Sequence, residues 1–213
     1  MNLPLQRHAA VGTLACAALG LGLILGTGCS RESAAGHSGS LARPADDDWV
    51  GPRLAEFAMI ERSGREVDQA QLAGRVAVLD FVFTTCAGPC PVMSASMSAL
   101  QDDLADTDVQ LVTVTVDPQT DTLEVLGEYA DRFGADPERW LFLRGDDAQL
   151  EALASSVALA FQVDPTADVG FQVAHSTRFV VVDGQGYVRG YYDGTTPEGR
   201  AQAAARARWL ARQ

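Results

Sequence analysis

The 213 residues carry 28 acidic against 16 basic side chains, a formal charge of −12, and a field of that sign repels nucleic acid and anionic membrane surfaces as partners. The length exceeds one ordinary domain by a few dozen residues, so one domain with an N-terminal addition is expected. Every basic residue is Arg, a bias that carries no functional weight.

Residues 1–28 read as an export signal: a short head with Arg7, an Ala/Leu/Gly-rich core from Ala9 to Leu25, then Gly26-Thr-Gly-Cys29-Ser30. The pattern is similar to a bacterial lipoprotein signal, whose cleavage leaves a lipidated cysteine, here Cys29, although Gly26 stands where such signals usually carry Leu. An uncleaved membrane anchor is the alternative, because the apolar run approaches the ~20 residues that span a bilayer. In either case the globular part is expected outside the cytoplasmic membrane, facing the periplasm, where thiols can be oxidised. Residues 29–48 are rich in Ser, Gly, Ala and Asp without periodicity and read as a flexible tether, with His37 a solvated side chain in it. The domain is expected over 49–213.

From Trp49 the pattern alternates between strand and helix. Phe57–Glu61 and Gly64–Val67 read as a short hairpin, Val76–Phe83 as a central strand, and Pro91–Leu104 as a helix with Met93, Met97 and Leu100 on one stripe. That spacing favours core packing for the two methionines over thioether ligation of a metal. Val109–Val116 is a second buried strand, Thr122–Phe133 a helix, Trp140–Leu143 a strand, and Asp147–Leu159 a helix capped by Asp146. Phe171–Ala174 and Thr177–Val182 are strands on either side of His175. Asp183-Gly-Gln-Gly186 turns the chain, Tyr187–Tyr192 returns beside the preceding strand, and Thr196 caps a last helix begun by Pro197.

The chemistry gathers where the central strand ends. Residues 76–83 are apolar and β-branched enough for a strand covered on both faces, and they lead directly into Thr84-Thr85-Cys86-Ala-Gly-Pro-Cys90-Pro91. Gly88 and Pro89 force a turn, and Pro91 suits the first helical position, which places Cys90 at or next to the N-cap. A helix start favours the thiolate, the form that acts as nucleophile and metal ligand. No charged side chain lies between Phe81 and Gln101, so the helix end or a bound metal has to ionise the thiols. Cysteines four positions apart around a turn can bring their Cα atoms within the roughly 4.4–6.8 Å a disulfide requires. Asp80, inside the apolar strand, is either a buried polar group near the thiols or a residue at a strand edge.

The order of elements resembles the thioredoxin-like fold, an α/β architecture, here with an N-terminal β-hairpin extension. Within it, Cys86-x-x-x-Cys90-Pro91, the stretch Val116-Asp117-Pro118-x-x-Asp121-Thr122, and His175-Ser176 ahead of a strand ending Val182-Asp183-x-x-Gly186 resemble the Sco/SenC family of membrane-tethered copper-binding factors for cytochrome c oxidase assembly. Ala87-Gly88-Pro89 replaces the family's usual Pro-Asp between the cysteines, and Thr120 stands where an Arg is usual. The resemblance implies one copper, Cu(I) or Cu(II), held by Cys86, Cys90 and His175, with Asp117 and Asp121 as supporting residues of the site. For Asp121, capping of the helix over 122–133 is an equal alternative. It also implies the copper-bearing oxidase subunit, and other copper or thiol-redox proteins, as partners, with the membrane reached through the N-terminal lipid or anchor. The residues support the same set: beyond the signal the domain has two cysteines and one histidine, a soft to borderline set that suits copper, whereas structural zinc takes four protein ligands.

Three function classes use such cysteines: copper delivery, thiol-disulfide reduction that keeps a partner's copper-site thiols reduced, and peroxide reduction. Reductases of thioredoxin type have two residues between the cysteines and a proline just before the facing strand; this chain has three, and no proline between Pro165 and Pro197. A peroxidase needs an arginine beside its thiolate, and Arg178 alternates with Thr177 and Phe179 as an outward strand residue. Copper delivery therefore ranks first and thiol reduction second.

Overall fold

Six consecutive buried residues, Ala77–Val82, form the middle strand of a seven-stranded sheet, as their unbroken β-branched and aromatic pattern requires. The computed structural model describes residues 49–159, 162–163, 173–174 and 176–213. Cys29, His37 and His175, with the export signal and the tether, lie outside the described residues. In chain order the elements are β1 (Ala58–Glu61), β2 (Glu66–Asp68), α1 (Gln69–Leu72), β3 (Ala77–Val82), α2 (Cys90–Asp103), β4 (Gln110–Thr115), α3 (Leu123–Arg132), β5 (Trp140–Arg144), α4 (Asp147–Ser156), β6 (Gln162–Val163), β7 (Val173–Ala174), β8 (Arg178–Val182), β9 (Val188–Asp193) and α5 (Pro197–Leu210).

The sheet order is β2-β1-β5-β4-β3-β8-β9. Strands β3, β4 and β5 are parallel, in the register Leu79 to Val112 to Leu141, while β1, β8 and β9 run antiparallel to their neighbours. Consequently the three parallel strands end on the same side, the side on which ligands of open α/β sheets collect. Arg178 starts β8 at that same end, since β8 runs opposite to β3 with Leu79 facing Val180. The expected hairpin is present as β1 and β2, paired with Met59 opposite Val67.

Helices cover both faces. Met93, Met97 and Leu100 of α2, Leu126 and Tyr129 of α3 and Ala203 and Ala207 of α5 pack on Val78, Leu111 and Phe142. On the other face Leu150, Leu153 and Val157 from α4, with Leu54, Phe57 and Leu72, pack on Leu79, Val112 and Leu143. Both methionines are fully buried, so their stripe is core. Fully burying side chains of this kind contributes roughly 1.5–3 kcal/mol each. Among the described residues no helix is long and apolar enough to cross a membrane.

The local ends follow the sequence except at α3, at α1 and at the start of α2. Asp146 and Thr196 cap α4 and α5 through hydrogen bonds from Gln149 N and Gly199 N. The first departure is at α3, whose N-cap is Thr122, accepting from Val125 N; Asp121 does not cap this helix. The second is a short helix, α1, that the sequence reading left out although Asp68 and Gln71 form a capping box there.

Candidate metal centre

A turn closed by Cys86 N–H donating to the Phe83 carbonyl (3.2 Å) carries the chain off the end of β3. A second change of direction through Ala87-Gly-Pro leads into α2, whose first intrahelical bond runs from Met93 N to Pro89 O at 2.9 Å. Pro89 is the N-cap and makes no side-chain cap, so the helix starts one residue earlier than the sequence suggested, with Cys90 as its first residue and Pro91 as its second.

Neither cysteine is joined in a disulfide, and the Cys86 side chain is close enough to act on the Cys90 thiol. Gly88 N–H donates to Cys86 Sγ at 3.4 Å. Cys86 retains 8% exposure and Cys90 none, so Cys86 is the less covered residue of the two. The expectation that the helix start makes Cys90 a thiolate is not met. Its thiol is pushed strongly up by burial, then by the hydrogen bond and charge of Cys86 and by the charge of Asp80, and the backbone hydrogen bond at Phe83 offsets only part of this. A partial positive charge at a helix end is worth about 0.3–1 kcal/mol, too little against removal of a thiolate from water. A metal cation coordinated by such a thiol would deprotonate it outright.

Asp80 is a buried core residue and not a strand-edge one: its side chain is fully covered. Trp140 Nε1–H donates to Thr113 Oγ1 at 2.9 Å, which directs the Thr113 hydroxyl proton to Asp80 Oδ1 at 2.7 Å. Asp80 Oδ2 has no hydrogen-bond partner. Burial pushes this carboxyl up from 3.8 to about 7, and the Thr113 hydrogen bond restrains the rise. Close by, the Ser94 and Tyr129 hydroxyls pair at 2.9 Å, and the phenol of Tyr129 is pushed up by burial and by the neighbouring Cys90 and Asp80. The space beneath the thiols is therefore dry but polar.

Asp121 is fully buried at the end of β4. Its carboxylate accepts from Thr84 N (3.3 and 3.2 Å to the two oxygens), from the Thr84 hydroxyl and from the Thr115 hydroxyl. Burial pushes its carboxyl above the ordinary carboxylate value, and these donors oppose the rise. Asp117 is more exposed; its N–H donates to Thr115 Oγ1 (3.0 Å) and its Oδ1 accepts from Thr120 N (3.3 Å), so it shapes its own loop. Arg144, at the end of β5, donates from Nε and Nη2 to the Pro118 carbonyl at 3.0 and 2.7 Å. Thr84, Thr115 and Arg144 escaped the sequence reading: Thr84 and Thr115 look like ordinary strand-end residues, and only the tertiary pairing shows that they meet one carboxylate. Among the described residues no group of three His, Cys, Asp or Glu side chains forms a metal cluster, and His175 is not one of them.

A dithiol presented at the end of the central strand and the start of a helix defines a thioredoxin-like dithiol protein. The SCO1/SenC family model matches residues 51–211, so the chain belongs to that family. The SCO1 protein homolog of Bacillus subtilis is 31% identical over 150 residues, 69% of this chain and 77% of that one. The structure of BsSco, a member of the Sco family of cytochrome c oxidase assembly proteins in which a disulfide switch is identified, is 27% identical and superimposes with a TM-score of 0.65 over 76% of this chain and 95% of the other. ScoI of Bradyrhizobium japonicum, solved with copper bound, shares the fold at 22% identity with a TM-score of 0.64, covering 74% of this chain and 99% of that chain.

Proposed function

We propose that the protein binds one copper ion through Cys86, Cys90 and His175 and delivers it to the copper-bearing subunit of cytochrome c oxidase. The observation that carries this reading is the pair of neighbouring cysteines between the end of β3 and the start of α2, not joined in a disulfide. Two thiolates with an imidazole suit copper in either oxidation state, and family relatives solved with copper support the same cargo. His175 stands three residues before Arg178, which begins β8 at the cysteine end of the sheet. Two-electron oxidation of the two thiolates to a Cys86–Cys90 disulfide, with dioxygen or two equivalents of Cu(II), which pass to Cu(I), as the electron acceptor, would release the ion, consistent with the disulfide switch identified in BsSco.

Delivery requires a protein held at the membrane, and the N-terminal residues provide for it in the same reading: Cys29 carries lipid after removal of residues 1–28, and residues 29–48 tether a periplasm-facing domain. The mass of the mature N-terminal peptide checks this, because a lipidated Cys29 excludes the uncleaved anchor.

The sulfur contact also favours a second reading, reduction of a partner's copper-site thiols, with Cys86 as the attacking and Cys90 as the resolving sulfur. His175→Ala separates the two. Copper coordination loses a ligand, so the variant should lose Cu(II) affinity at least about tenfold, equivalent to ~1.4 kcal/mol. Thiol-disulfide exchange needs only the sulfurs, so its reduction potential should shift by less than the ~30 mV that corresponds to the same energy. Under copper delivery, cells carrying His175→Ala fail to assemble active oxidase at low copper. Normal oxidase in that strain, with Cys86→Ser inactive, establishes the reductase instead.

A further inference from the structure

Two loops leave the parallel strands beside the cysteines, and one side chain joins them. Thr84 lies in the turn that runs from Phe83 to Cys86, two residues past the end of β3 and two positions before the more exposed cysteine. Thr115 ends β4. The Asp121 carboxylate, fully buried, bridges them through the Thr84 N–H, the Thr84 hydroxyl and the Thr115 hydroxyl. The loop that supplies Asp121 is itself secured at both ends: Asp121 N–H donates to the Asp117 carbonyl at 2.9 Å, Asp117 N–H donates to Thr115 Oγ1, and Arg144 of β5 holds the Pro118 carbonyl. All three parallel strand ends are thereby linked around one carboxylate.

We propose that Asp121 is a positioning residue for the cysteine site: by bridging Thr84 to Thr115 it fixes the Thr84–Cys86 turn, and so the place of the Cys86 sulfur, before any metal or partner arrives. This rests on the reading of Cys86 and Cys90 as copper ligands. The physical case is one of alternatives. A turn with no charged side chain of its own and two glycine- or proline-rich steps after it has few local restraints. A buried carboxylate that accepts from a backbone N–H and two hydroxyls is among the stronger restraints a protein can apply, because without it half-buried Thr84 and buried Thr115 would lose charge-assisted hydrogen bonds. Neither oxygen of Asp121 contacts a sulfur in the hydrogen-bond pattern, so it acts through Thr84.

The test compares the purified, reduced protein with Asp121→Ala, Asp121→Asn and Thr122→Ala. Thr122 caps α3 beside Asp121 but does not touch the cysteine turn, so its variant reports general loss of stability. Each protein is titrated with Cu(II), its thiolate-to-copper charge-transfer spectrum is recorded, and alkylation of Cys86 is timed in the metal-free state by peptide mapping. Asp121→Ala should lose about tenfold or more in copper affinity, with a shifted or broadened charge-transfer band. Its Cys86 should alkylate several-fold faster than in the parent. Asp121→Asn, which keeps one oxygen and faces hydroxyls that can rotate, should recover most of both readouts, and Thr122→Ala should match the parent within about twofold. A folded Asp121→Ala protein with parental affinity, spectrum and alkylation rate overturns the proposal, as does Thr122→Ala moving them equally. If Asp121→Ala does not fold, Thr84→Val, which keeps the shape and the backbone N–H but removes the hydroxyl, should show a smaller change in the same direction, and no change at all overturns it. If the parent takes up no copper, the copper reading fails, and the alkylation rates still decide whether Asp121 holds the turn.

Discussion

Asp80 and Asp121 are both fully buried carboxyls on neighbouring parallel-strand paths, and burial pushes both upward, yet they are served very differently. Asp121 meets a backbone N–H and two hydroxyls, one set for each oxygen. Asp80 meets the Thr113 hydroxyl on one oxygen and no partner on the other. The difference teaches that depth alone does not decide what a buried acid does. Donors on both oxygens make a carboxylate a structural link between loops, whereas a single donor leaves an acid that the core holds more comfortably with its proton on.

The largest effect should come from removing the poorly served charge. Asp80 rises from 3.8 to about 7 on folding, so between those values the folded protein holds a proton that the unfolded chain has lost. Stability then falls as pH rises through this window, by up to about 4 kcal/mol once above it. Asp80→Asn keeps an acceptor for Thr113 and cannot ionise. In denaturant titrations of the reduced, metal-free protein, the variant's advantage over the parent should be near its minimum at pH 4 and grow by a few kcal/mol by pH 8. Asp121 is present in both proteins and cancels in the difference. A pH-independent difference would show that Asp80 is not held protonated.

The next effect sharpens the contrast between this polar spot and the apolar stripe beside it. Met97 is fully buried on α2, and Met97→Ala should cost about 3 kcal/mol through lost burial and a residual cavity. Copper stoichiometry should be unchanged, measured by metal analysis after gel filtration; a lost copper equivalent would restore the thioether reading. A smaller change, about 2 kcal/mol, is expected for Thr113→Val, which strips Asp80 of its donor and leaves Trp140 Nε1 unpaired. Because the Thr113 hydrogen bond lowers the Asp80 value, the upper edge of the pH window of falling stability should move upward in this variant. An unchanged window would separate Thr113 from Asp80.

The contrast between the two acids also marks how far the sequence could be read. The strand over Val76–Phe83, the helix after Pro91, the caps Asp146 and Thr196 and the cysteine turn were legible, because each is a local pattern of periodicity, turn residues or capping chemistry. Asp80 was visible as an anomaly in an apolar run, but its partner Thr113, and the Trp140 that orients Thr113, come from two other strands. For Asp121 the sequence left two roles open, and the choice turned on Thr122, the better-placed neighbour, taking the helix cap. Thr84, Thr115 and Arg144 carry no local signal, since their meaning lies in parallel pairing that brings separate strand ends together. The ionisation of Cys90 was misjudged because the sequence shows the helix start but not how completely the sulfur is covered.

The central claim is that the paired sulfurs of Cys86 and Cys90 are a copper site, and it is tested most directly by adding Cu(II) to the purified, reduced protein while following the visible spectrum and the copper retained after gel filtration. One equivalent of copper per chain, intense thiolate-to-copper charge-transfer bands, and loss of both in Cys86→Ser and Cys90→Ser are expected. A colourless mixture with the copper left in the filtrate would contradict the account.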